Sequence, residues 1–296
     1  MNVNIQYKAS SGNVYNLKSD GIRIKKANYH SWKWGVNGTA LQYGNRISDF
    51  TRKPAEYETR LILTGTYTQK KMLLESLHDD FELDVRNKTP GRVIWGDYYI
   101  DCYIIDSSTY PDENNIWTEN DVTFYCPYPF WIKEETKEFF PREAPSGQDY
   151  LDYPYDYGYD YYYGAVGISV WQTDFPFESK FKMTIYGAAN NPRVQINGHP
   201  YQVNDTLDED EYVVIDSRNN TIIKHAMNGQ AINLFDNRDK IDSVFRPIPG
   251  GTLTLNWSGV FGFDLTLFEE RSEPRWVDNR YADLVGNGAD LQVERW

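Results

Sequence analysis

The sequence predicts a mainly β protein of two domains, and three observations carry this. At 296 residues the chain is too long for one ordinary domain. Each half is still large enough to bury a core without disulfide or metal staples. Aromatic residues make up 16% of the chain, with 24 Tyr and 9 Trp, an enrichment that suits strands and contact surfaces. Long apolar stripes of helical period are scarce, whereas short alternating runs bounded by turn residues recur.

Residues 1–133 form the first predicted domain. Ile22-Arg23-Ile24-Lys25 and the run from Thr59 to Thr64 alternate like half-buried strands, the second framed by Pro54 and Gly65. An amphipathic helix is predicted over 69–78, with Met72, Leu73, Leu77 and Phe81 on its apolar face. Strands are predicted at 92–95, 98–105 and 121–126.

Residues 134–165 read as a connector. A charged stretch leads to Pro141 and Pro145, and from Tyr150 to Tyr163 eight of fourteen residues are Tyr and three are Asp. Such a segment has too few aliphatic groups for a core of its own, and Pro154 and Gly158 break any long paired strand. Tyr gives large contact area with few torsions to freeze, so the stretch reads either as a docking loop or as a plain linker.

Residues 166–275 form the second predicted domain, a β-sandwich. Phe181, Met183 and Ile185 alternate with Lys180, Lys182 and Thr184; Asn197-Gly198 stands between two short strands, a strong hairpin signal. Ser217-Arg218-Asn219-Asn220 marks another hairpin. Leu253, Leu255 and Trp257 share one strand face, as do Phe261, Phe263, Leu265 and Leu267. Residues 276–296 lose periodicity and read as a C-terminal arm ending in Trp296.

Charge and motif content exclude several functions. A formal net charge of −13 repels phosphate, so DNA binding through a basic groove is not expected. Cys102 and Cys126 are the only cysteines and form no CxxC pair, which argues against a disulfide framework or a zinc site. The opening residues lack the basic and apolar regions of a signal peptide, and no run approaches a membrane span.

His30, His78, His199 and His225 have no metal-like spacing with one another or with Cys. The nucleophile, phosphate-loop, zinc-protease and dinucleotide motifs are missing from the sequence. Catalytic residues, cofactors and metals are therefore expected to be none. The acidic run from Asp205 to Glu211 lacks calcium-loop spacing and reads as a solvated hairpin connection. Trp32, Trp34 and Trp171 are the candidates for an alternative reading, a carbohydrate-binding adhesion module in which exposed rings stack on sugars.

The chain carries a further ordered set of motifs. Tyr125-Cys126-Pro127-Tyr128-Pro129-Phe130-Trp131 closes the first domain, and the Tyr/Asp/Pro tract follows. Tyr186-Gly187-Ala188-Ala189-Asn190-Asn191-Pro192, Ile196-Asn197-Gly198, Ile215-Asp216-Ser217 and Arg271-Ser272-Glu273-Pro274-Arg275-Trp276 come after them. In this order the pieces resemble the distal tail (Dit) proteins of tailed bacteriophages and of phage-derived particles from Gram-positive hosts.

The resemblance implies a non-enzymatic structural protein of the virion tail tip or baseplate, assembled in the host cytoplasm. It implies a homohexameric ring joining the tail tube protein to the tail-associated lysin or hub, near the tape measure and receptor-binding proteins. DNA would pass through the lumen without specific binding. The first domain would be a tail-tube-like β-sandwich with one helix and a long ring-forming segment. The second would be a galectin-like β-sandwich, a fold that does not itself imply sugar binding. Tyr153, Tyr155, Tyr157, Tyr159, Tyr161, Tyr162 and Trp296 are the candidate interface residues.

Overall fold

The computed structural model describes residues 4–19, 21–111, 116–142 and 167–275. Strands dominate them, and one α-helix is present among them, so the mainly β class is the one observed. The chain divides into two compact units: Met1–Lys133 with the residues from Glu270 onward, and Glu134–Glu269.

The first unit holds β1 (Ile5–Lys8), β2 (Val14–Asn16), β3 (Lys18–Ser19), β4 (Ile22–Ala27), β5 (Gly35–Ala40), β6 (Asn45–Thr51) and β7 (Ala55–Thr64). The helix α1 (Tyr67–Asn87), β8 (Gly91–Trp95), β9 (Tyr98–Pro111), β10 (Trp117–Cys126) and the start of β11 (Trp131–Phe139) follow. One antiparallel ladder runs β3-β4-β7-β10-β9; another joins β2, β1, β8 and β9. The long strand β9 serves both, pairing β8 through its first residues and β10 through its later ones.

Strand pairing here follows the pleat. Tyr57, Leu61 and Leu63 of β7 and Val122, Phe124 and Cys126 of β10 point inward. They meet Tyr7, Tyr29, Val93, Ile100 and Trp131 in one core. Tyr29 packs edge-on against Tyr57, Phe124 and Trp131, with ring centroids about 6 Å apart.

The helix extends well past the predicted 69–78. Thr66 caps it, accepting from the Gln69 amide while the Gln69 side chain accepts from the Thr66 amide. Lys88 in the left-handed region closes it. The apolar stripe is interrupted around Leu77 and Phe81 because the other buried positions of the later turns are Asp80 and Asp84. Met72, expected on the buried face, is exposed, and Leu77 and Phe81 carry the packing.

These two carboxylates pin the β1–β2 hairpin to the helix. Asp84 accepts from Tyr7 Oη (2.5 Å) and from the Ser10 amide (2.9 Å) and hydroxyl (2.5 Å). Asp80 accepts from Tyr15 Oη (2.5 Å), Ser11 Oγ (2.7 Å) and Asn13 Nδ2 (3.0 Å). A buried carboxylate is tolerated because its lone pairs are met. Gly91 completes the fit, since a Cβ there would sit 2.5 Å from Asp84 Oδ2 and 2.7 Å from Tyr7 Oη.

The second unit contains the remainder of β11, then β12 (Gly167–Gln172), β13 (Lys180–Tyr186), β14 (Ala189–Asn190), β15 (Arg193–Ile196), β16 (His199–Gln202) and β17 (Thr206–Leu207). It continues with β18 (Tyr212–Asp216), β19 (Thr221–His225), β20 (Ala231–Asn233), the short 3₁₀ turn η1 (Phe235–Asn237), β21 (Thr252–Trp257) and most of β22 (Phe263–Arg271). One ladder runs β20-β19-β18-β13-β22-β11, and a second runs β12-β21-β15-β16. Phe181, Met183, Ile185, Val213 and Ile215 from the first meet Val194, Ile196, Leu253, Leu255 and Trp257 from the second. This is a sandwich.

The two predicted turns are where the sequence put them. Ile196 pairs with His199 across Asn197 and Gly198, both at positive φ (50° and 83°), the backbone a two-residue hairpin needs. Asp216 pairs with Thr221 around Asn220 at φ 53°. Residues 134–139, expected as connector, are strand instead. Their inward contribution is Phe139, stacked 4.6 Å from Phe263, while the middle of β11 is charged and exposed and therefore reads as linker by composition.

Candidate assembly surface

Strands β4 and β7 pair with each other, from Ile22↔Leu63 to Ala27↔Thr59. The chain between them makes an excursion, a two-stranded ribbon of β5 and β6 that pairs with no other strand among the described residues. Its register runs from Gly35↔Thr51 to Ala40↔Asn45, with a shift at Asn37/Gly38. Gly38 is held close against the partner strand: a Cβ there would lie 2.6 Å from the Arg46 carbonyl. At the tip the Leu41 amide donates to the Gly44 carbonyl (2.9 Å), with Gly44 at φ 84°.

Every residue of both strands is exposed. Val36, Leu41, Ile47 and Phe50 are between 52% and 57% exposed, and Tyr43 is 87% exposed. An isolated two-stranded ribbon is marginal in water, and its outer edges offer unpaired backbone groups. This ribbon adds uncovered apolar side chains to those edges. Exposed apolar side chains and unpaired strand edges thus lie together on one element.

The ribbon's base is anchored. Arg52, just after β6, lies 5.4 Å from the Trp34 ring centroid and 4.8 Å from that of Phe130, and its Nη1 donates to Ser272 Oγ at 2.8 Å. Phe130 packs on Tyr128 (5.2 Å), whose hydroxyl donates to Glu270 Oε2 (2.5 Å).

The residues singled out in the sequence fall in several places. Tyr153, Tyr155, Tyr157, Tyr159, Tyr161, Tyr162 and Trp296 lie outside the described residues. Trp171 is buried against Phe139 and is no sugar platform, because β12 turns it into the core. Trp34 is committed to Arg52, and Trp32 is half exposed.

The acidic run is organised by Lys224, whose Nζ reaches Glu211 (2.7 Å), Asp205 (3.5 Å) and the Thr206 carbonyl (2.7 Å). That ammonium holds the Glu211 carboxyl below the usual carboxylate range, with help from the Asp208 amide. His199 bonds the Ser243 carbonyl, His225 stacks on Tyr212, and His78 bonds Ser107. The edge-on ring contact of His30 with Trp95 sits in a partly buried site that lowers its pKa.

Sequence reasoning missed the ribbon. The signal available was weak: Val36, Ile47 and Phe50 around Tyr43-Gly44-Asn45.

No protein-family model and no curated protein sequence matches the chain. Solved structures do. The SPP1 Dit protein, described as a paradigm of the hub adsorption apparatus of phages that infect Gram-positive hosts, superposes with a TM-score of 0.60 at 12% identity. The match covers 92% of this chain and all of that one. The fold is the Dit fold. Two structures of the phage P2 baseplate in its activated conformation, with Ca and with Sr, also match with a TM-score of 0.60, at 14% identity. Each covers 93% of this chain and all of the chain compared. The Dit fold thus spans both units.

Proposed function

We propose that this protein is a structural component of a phage tail tip, in which copies join into a closed homohexameric ring through the β5–β6 ribbon. The ring joins the tail tube protein to the tail-associated lysin or hub, with tape measure and receptor-binding proteins as further neighbours. DNA passes through its lumen. The observation that carries this reading is the ribbon, an entirely exposed pair of strands with apolar side chains, on a chain that shares the Dit fold over nine-tenths of its length. A heterologous contact repeated around an axis closes a ring and covers each ribbon with the next copy. Tyr153, Tyr155, Tyr157, Tyr159, Tyr161, Tyr162 and Trp296 are proposed as secondary docking residues. No chemical step is assigned to the chain.

Native mass spectrometry and negative-stain imaging of the purified full chain test this. The expected result is a six-membered ring. A chain that stays monomeric at high concentration, and that binds neither tube nor hub subunits, overturns the proposal.

A further inference from the structure

Gly35 pairs with Thr51, so Trp34 and Arg52 are the next residues facing each other across the base of the ribbon. Trp34 leads into the ribbon; Phe130 and Ser272 belong to the body of the first unit. One guanidinium touches all three. The two rings it contacts stand 6.1 Å apart at 62°, so the cation bridges a ring at the ribbon's entry and a ring of the body.

With only two backbone crossings at its neck, the ribbon's direction is set by the contacts made there. Ring closure demands one exit angle, because each copy must meet the next at the same rotation. We infer that Arg52 is a positioning residue that fixes the direction in which the ribbon leaves the body, and through it the curvature at which copies join. This rests on the assembly role proposed above for the ribbon.

The chemistry favours arginine at this point. A planar guanidinium stacks on aromatic faces while directing N–H groups outward in its plane, toward Ser272 here. A lysine ammonium is a point charge without a stacking face. Two neighbours shape the neck further. Gly35 leaves room for Thr51, whose Oγ1 would lie 3.0 Å from a Cβ at position 35. Pro54, two residues beyond Arg52, locks its own φ.

The test uses the full chain in four forms: wild type, Arg52→Ala, Arg52→Lys, and a chain in which residues 35–51 are replaced by a Gly-Ser turn. Hydrogen exchange reads the ribbon amides, and native mass spectrometry reads the distribution of assemblies. Both Arg52 variants are expected to fold with near-wild-type melting. Their ribbon amides are expected to exchange faster by about tenfold, the scale set by a lost cation–π contact. Their assemblies are expected to spread into open arcs and mixed stoichiometries.

If both variants give wild-type rings and wild-type exchange while the ribbon-less chain gives none, the positioning role is overturned and the ribbon's role stands. If the ribbon-less chain also forms wild-type rings, the assembly role of the ribbon falls, and the inference with it. Should Arg52→Ala fail to fold, Arg52→Lys and Phe130→Leu carry the same comparison.

Discussion

Asp80 shows how much a single side chain can decide in this fold. Burial alone would push its carboxyl up, but hydrogen bonds from Tyr15, Ser11 and Asn13 more than offset that and hold it below the ordinary value. Tyr15, its partner, is pushed up to about 12, by burial first and then by the Asp80 bond. A carboxylate whose folded pKa lies below its unfolded value of about 3.9 stabilises fully above that pH. The contribution disappears as pH falls through the folded value. Wild type is therefore expected to lose more stability between about pH 6 and pH 3 than Asp80→Asn does. Thermal melts of both chains across that range give the comparison, and equal losses would remove Asp80 from the account. Bonds to a charged acceptor contribute about 1.5–3 kcal/mol each net of the water bonds they replace, so the gap between the two chains should be readable at pH 6. None of this was legible in the sequence. Asp80 and Asp84 look like surface acids until the hairpin that meets them is in place, which is why the predicted helix stopped at 78. The amphipathic stretch over 69–78 was the part that was read, and the capping box of Thr66 and Gln69 went unread.

At the scale of elements, legibility follows burial. In the second unit one face of each strand is buried by the same chain, so Phe181, Met183 and Ile185 alternate with polar neighbours and the strand is plain to read. Asn197-Gly198 was readable for a different reason: its backbone demands residues that tolerate positive φ. Replacing Gly198, at φ 83°, by Val is expected to cost about 1–2 kcal/mol, the penalty of a left-handed residue with a Cβ. A shifted urea midpoint with an unchanged slope would show it, and no shift would mean the turn relaxes without strain. The β5–β6 ribbon was not readable because no face of it is buried in its own chain. Alternation records burial within a molecule. A strand pair with no cover in its own chain leaves only scattered apolar residues, here Val36, Ile47 and Phe50 among three glycines, Gly35, Gly38 and Gly44.

For the whole molecule, the formal charge of −13 governs how it meets polyanions. Duplex DNA is expected to pass without retention at about 0.15 M salt, where fields from exposed charge fade within roughly 8 Å. Electrophoresis of labelled DNA with the purified protein checks this, and a retarded band that dissolves with added salt would point to a basic groove the sequence gives no sign of. Overall class was legible because composition and turn chemistry agree over hundreds of residues. The division into units was less so, since the first unit takes residues from both sides of the second. That interleaving sets a timetable for biosynthesis. Arg52 and Ser272 are 220 positions apart, and at about 5–20 residues per second the ribosome takes roughly 10–40 s to deliver the second after the first. Until then a nascent chain carries its ribbon without the hydroxyl that steadies it, and Tyr128 still waits for Glu270.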